Sequence, residues 1–333
     1  MRKASVIMAG TFAWLLLSAS VQAGITIATV TVGDPGNVAD TRVAGDGTPG
    51  FGSVSYTYNI GKYMVTAGQY AAFLNAVAAT DTYGVYKTSM SNLGRGANGW
   101  GCGITRTGTS GSYSYFAADP NLPVDDPSFW DACRFANWLS NGQPVGKQGA
   151  STTETGAYTL TAAGIASNTI TRNSGAVWAV ASEDEWYKAA YYKGGGADAG
   201  YWTYATQTDY MNTTMANYVK SSIVGPGAPL TRVGSYAYGS SYGTYDQSGV
   251  LYEWNESVIR GGRGVRGGAY DTDAYYLGAQ ARGYDYLTGG YVYSNVGFRV
   301  VQLGSVPEPS SLIAVAAGLV FLIRMGGVRR RQR

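Results

Sequence analysis

The chain has 333 residues, 45% of them apolar, enough to bury a large single core or two ordinary ones. It has no histidine and only two cysteines, Cys102 and Cys133; this excludes a Ser-His-Asp triad, a Cys/His dyad and any histidine-ligated metal centre. The formal charge of +3 sits at the ends, with +2 in residues 1–23 and +4 from Pro307 onward, leaving −3 between them and no basic surface for nucleic acid.

Residues 1–23 start basic at Arg2 and Lys3, run apolar from Val6 to Leu17 and end on Val21-Gln22-Ala23. That is the anatomy of a secretory signal peptide, so the protein is expected to be exported. Residues 24–55 alternate Thr/Val pieces with Gly, Asp and Pro turns, which predicts an N-terminal strand or two and a lead-in. From residue 56 to 303 a single domain is expected, because no period of 20 to 50 residues repeats. Three short helices announce themselves. The first starts at Thr66 with Gln69 as its capping-box partner and carries Tyr70, Phe73, Leu74 and Val77 on one face. The second starts near Ser128, turns Trp130, Phe135 and Leu139 inward, and stops at Asn141-Gly142. The third starts at Ser182 and holds Trp186, Ala189 and Ala190; its Glu183-Asp184-Glu185 run reads as a cap and first-turn acids rather than a catalytic pair.

Beyond Lys193 the pattern turns to short strands and long Gly/Tyr/Ser loops. Two G-x-G-x-x-G matches, at Gly94 and Gly262, lack the strand-to-helix setting that phosphate binding needs. Asp271 and Asp273 lie at alternate positions after a tight Gly-Gly turn, where they could hold a cation, a sugar hydroxyl or the chemistry of a hydrolase. Tyr275, Tyr276, Tyr284, Tyr286, Tyr291 and Tyr293 crowd the same stretch and could stack on sugar rings. The two cysteines could pair in an oxidising compartment, although spacing alone does not fix it. After Pro307-Glu308-Pro309 comes a twelve-residue apolar run, 312–323, and a cluster of arginines. The run falls short of the ~20 residues that span a bilayer, so a transient membrane anchor is expected, with its arginines on the cytoplasmic side.

Four pieces then occur in order: IGKYMVTAGQYAAFLNAV, PVDDPSFWDACRFANWLSNG, WAVASEDEWYKAAYY, and the stretch from GTYDQSGVLYEW through RGGAY and AQAR to VGFRVV. Together they resemble the formylglycine-generating enzyme, or sulfatase-modifying factor, family across about residues 58–301. The resemblance implies an α+β, C-type-lectin-like fold with sparse regular structure, short helices, short antiparallel strands and long loops. Active relatives place a cysteine pair between the RGG turn and the later arginine and use it with copper; here residues 269–281 contain none. No catalytic residue is therefore assigned, and whether the chain is an enzyme stays open. The leading expectation is a silent domain that binds extracellular polysaccharide, with Tyr270, Asp271, Asp273, Tyr275 and Arg282 as candidate ligand contacts. The alternative is a formylglycine-type oxidase with non-standard ligands. The family's structural calcium site is partly matched by Asn217, Gly249 and Glu253, with Val250 where an asparagine is usual. The tail, 304–333, resembles a PEP-CTERM sorting signal, which implies an exosortase partner, tail processing, and the cell envelope or surface of a Gram-negative bacterium.

Overall fold

The computed structural model describes residues 24–93, 101–196, 198–219, 230–285 and 294–304. The expected signal peptide, the tail from residue 305, and Tyr286, Tyr291 and Tyr293 lie outside them, as does the first G-x-G-x-x-G match. No helix among the described residues is long and apolar enough to cross a membrane.

All three expected helices form, and their caps explain where they start. In α1 (Ala67–Val77), Thr66 accepts from the Gln69 amide while Gln69 returns a bond to the Thr66 amide. The same reciprocal box, which satisfies two otherwise orphaned N–H groups, joins Ser128 to Asp131 at α2 (Phe129–Ser140) and Ser182 to Glu185 at α4 (Glu183–Tyr191). A fourth helix, α3 (Ala162–Ser167), adds one and a half turns capped by Thr161; none of its residues is buried.

Strands are short. A four-stranded antiparallel sheet runs in the order β1 (Thr29–Val32), β2 (Tyr58–Gly61), β10 (Val300–Gln302), β5 (Trp178–Val180), so the N-terminal strand and the last strand of the domain meet on β2. Through β1 the lead-in, 24–55, joins the same body. A hairpin pairs β3 (Ile104–Thr107) with β4 (Ser114–Ala117). The second four-stranded sheet is ordered β8 (Gly283–Asp285), β7 (Gly262–Arg266), β6 (Tyr252–Ile259), β9 (Val296–Gly297); β6 and β9 run parallel, and β6 bulges between Trp254 and Val258. The main core cluster runs through the described body, and its aromatic centre lies where α1, α2 and the first sheet meet. Tyr70, Phe73, Phe135, Trp138 and Phe298 pack there with ring centroids 5.3–6.4 Å apart in tilted and edge-to-face pairs, within the spacing aromatic pairs favour.

Candidate functional site

Strand β7 ends on Arg266, and the chain then reverses through Gly267 (φ 96°) and Gly268 (φ 69°). A Cβ on Gly268 would come within 2.9 Å of the Tyr276 backbone, so only glycine fits under the following turn. Thr272 closes that turn by accepting from the Ala269 amide. Tyr270 packs half-buried on Met64, Val250 and Leu251, and burial pushes its hydroxyl up to about 12. The Asp271 carboxylate accepts from the Asn295 side chain with both oxygens at 3.2 Å. Asp273 instead caps a 3-10 turn, Ala274–Leu277, by accepting from the Tyr275 amide at 2.9 Å. The two carboxylates thus have separate duties, one holding Asn295 and the other a turn. That turn presents Tyr275 and Tyr276, 49% and 46% exposed, as an edge-to-face pair with centroids 5.4 Å apart.

Arg282 faces a different wall. Its guanidinium pairs with Asp46 at 3.1 Å and with Glu183, and its side chain is only 8% exposed. Glu183 also receives Arg266, at 2.7 Å. Arg266 in turn donates to the carbonyls of Ala279 and Ala281 at 2.9 and 2.7 Å, which fixes the backbone beyond the tyrosine pair. The acidic run at the start of α4 is therefore both a cap, as expected, and the anchor of two buried arginines. Nothing in local spacing signals the second role, because its partners lie 83 and 99 residues away. The Gly45 amide donates to the Gln280 carbonyl at 3.0 Å, and a Cβ on Gly45 would meet the Tyr275 hydroxyl at 2.8 Å. Loop 44–48 thus links the tyrosine surface to Arg282.

Of the calcium candidates, Asn217 and Gly249 do meet. The Val250 amide donates to the Asn217 carbonyl at 2.8 Å, and a Cβ on Gly249 (φ 95°) would stand 2.3 Å from that oxygen. Glu253 is fully buried, and its carboxylate accepts from Arg299 at 2.6 and 2.7 Å and from the Trp186 indole at 2.9 Å. With its charge already matched, Glu253 is a poor fit for a cation ligand, and any cation here would rest on carbonyl oxygens. No group of three or more Cys, Asp or Glu side chains able to hold a metal occurs among the described residues.

Cys102 and Cys133 are separate, fully buried thiols. Burial pushes both well above the usual thiol range, the opposite of the lowered thiol that redox chemistry uses. Asp125 and Asp126, just before α2, are buried, with Asp126 in the left-handed region at φ 65°. Burial pushes Asp126 up to about 6 despite Ser89 and Lys87, and it does the same to Asp246 despite the Gly234 amide and Arg299. The unfolded chain binds these protons only near pH 4. Both groups therefore contribute stability that is fully present below about pH 4 and is lost as pH rises through about 6. Between pH 7 and pH 5 the protein should gain about 1 kcal/mol from each. Urea midpoints at the two pH values check this, with Asp126→Asn and Asp246→Asn each expected to flatten the slope. Glu185, which Arg172 holds low against the pull of burial, acts in the opposite sense and loses its contribution as the pH falls further.

The arrangement is an α+β scaffold with little regular structure that holds a rigid RGG turn and displays a loop platform beyond it. A model of the sulfatase-modifying factor enzyme 1-like domain matches residues 26–303, and the chain belongs to that family. Among solved structures, the crystal structure of CarF is 22% identical, with a TM-score of 0.51 over 83% of this chain and 98% of that one. Variable protein 1 of Treponema denticola is 19% identical, with a TM-score of 0.53 over 82% and 94%. Both likenesses establish the fold. No curated protein matches the sequence.

Proposed function

We propose that this protein is an exported, catalytically silent member of its family that binds extracellular polysaccharide through the Tyr270–Tyr276 surface. The observation that carries the reading is the exposed Tyr275–Tyr276 pair, which follows Asp271 by a few residues on a stretch, 269–281, that holds no thiol. Flat aromatic faces suit the apolar faces of sugar rings, and a carboxylate and a carboxamide supply directed hydrogen bonds to hydroxyls. Without a thiolate there is neither a soft copper ligand nor a partner for a substrate cysteine. The N-terminal signal, the Pro-Glu-Pro tail and its arginines support export, brief anchoring in the membrane, and sorting by an exosortase to the surface of a Gram-negative cell. Calcium at Asn217 and Gly249 is a structural option within this reading.

The test is retention of the full chain on immobilised extracellular polysaccharides, with and without calcium. Retention is expected, and Tyr275→Ala/Tyr276→Ala should weaken it about tenfold, in line with roughly 0.5–1.5 kcal/mol per aromatic contact. Failure of every polysaccharide to bind would sink the proposal. So would conversion of the cysteine to an aldehyde in a sulfatase-motif peptide incubated with the protein, copper and oxygen.

A further inference from the structure

Asp125 and Asp126 stand next to each other at the entry to α2, 0% and 1% exposed. Neither is in an ion pair among the described residues, because Lys87, whose charge acts on Asp126, pairs instead with Asp131 at 3.0 Å. One oxygen of Asp125 accepts from the Cys102 amide at 2.9 Å. Its other oxygen, and Oδ2 of Asp126, have no hydrogen-bond partner among the described residues. Burial, and then the charge of Asp126, push the Asp125 carboxyl well above its usual range, so the two groups already feel the lack of a counter-charge. Asp126 is also held in the left-handed region, at φ 65°, directly ahead of Pro127. The residue before a proline is pushed towards extended backbone, so the fold keeps this carboxyl inside at a cost.

Two adjacent buried carboxylates with unmade bonds are unfavourable as bare anions. A monovalent cation would leave one charge unmatched, whereas a divalent one cancels both. The other groups at this junction are neutral oxygens. The Ser89 hydroxyl stands against Asp126. The carbonyls of Ser89 and Asn92 crowd Gly101, where a Cβ would come within 2.3 and 2.7 Å of them, and Gly101 leads into the Cys102 amide that fixes Asp125. Burial pushes the Cys102 thiol well up, so no thiolate is offered to a soft metal. An all-oxygen set selects a hard cation. Calcium suits a buried one better than magnesium, which gives up its waters reluctantly.

We propose that Asp125 and Asp126 hold a calcium ion between the entry to α2 and the turn Thr88–Ser91, at a site separate from Asn217 and Gly249. The assignment stands independently of the polysaccharide reading. Its test uses the full chain stripped with EDTA, and calcium alone as the ligand, followed by equilibrium dialysis and melting curves. The wild type is expected to bind calcium and to melt higher with it. Asp125→Asn/Asp126→Asn should bind one ion fewer per chain. Its calcium-free melting temperature should be no lower than that of the calcium-free wild type, since the amides keep the shape and remove two unmatched charges. Asp126→Asn alone, with one carboxylate left, should weaken binding about tenfold, and magnesium should bind the wild type at least tenfold more weakly than calcium. Lowering the pH from 7 to 5 should also weaken binding, because protons compete with the ion at the two carboxylates. A wild type that binds no calcium overturns the assignment. So does a double variant that keeps the wild-type number of ions and affinity, which would put the calcium elsewhere. If the double variant does not fold, the single variant and the pH response decide, and an affinity unchanged by both overturns the site.

Discussion

Replacing Arg299 by methionine is expected to lower the unfolding free energy by about 3–5 kcal/mol, a large share of the roughly 5–15 kcal/mol that holds a typical domain together. Arg299 is fully buried, grips both oxygens of the equally buried Glu253, and also donates to the carbonyls of Gly61 and Tyr245. It thereby ties β6 to the end of β2 and to the loop before β6. Methionine leaves Glu253 as an uncompensated buried charge and strands two carbonyl oxygens, which is why the expected cost exceeds that of lost packing. Urea unfolding gives the number. Arg299→Met/Glu253→Gln should recover part of the loss, because the amide removes the stranded charge while still accepting from the Trp186 indole. Equal stability of Arg299→Met and wild type would show that the pair contributes nothing.

What was readable in the sequence is what local chemistry decides. Ser and Thr caps with a partner three residues on placed α1, α2 and α4 at their observed starts, since those bonds form within one turn. Helix α3 escaped notice because in AAGIAS only Ile165 packs against the core, which leaves no repeating apolar stripe. The family pattern supplied the α+β fold, which no periodicity in such short strands would reveal. The contacts of the candidate site residues were not legible in their spacing. Asp271 holds Asn295, Asp273 acts as a cap and Arg282 turns toward Glu183. Glu253 could not be read correctly from its neighbours in sequence, because Arg299, which neutralises it, lies 46 residues away. Pairings of that range depend on how the sheets close and leave no trace in spacing.

Glu183→Gln offers the other large effect, and its size separates two accounts of the acidic run that opens α4. If Glu183 served only the helix dipole, an exposed first-turn carboxylate would be worth about 0.3–1 kcal/mol. Loss of the Ser182 cap, through Ser182→Ala, would cost about 1 kcal/mol. The structure instead places two guanidiniums on Glu183, with the Arg266 side chain fully buried and stacked 4.6 Å from the Phe51 ring and 5.0 Å from that of Tyr187. A glutamine amide keeps the shape but turns donors toward donors, so Arg266 becomes a buried cation with no carboxylate. About 3–5 kcal/mol should be lost, several times the effect of Ser182→Ala. The damage should also reach function, because Arg266 holds the carbonyls of Ala279 and Ala281 just past the tyrosine pair. Glycan retention should therefore fall under conditions where circular dichroism still reports a folded chain. Asp46 still pairs with Arg282 in this variant, so the loss can be assigned to Arg266; Arg266→Met in a Glu183→Gln background should remove the unpaired cation but still strand the carbonyls of Ala279 and Ala281.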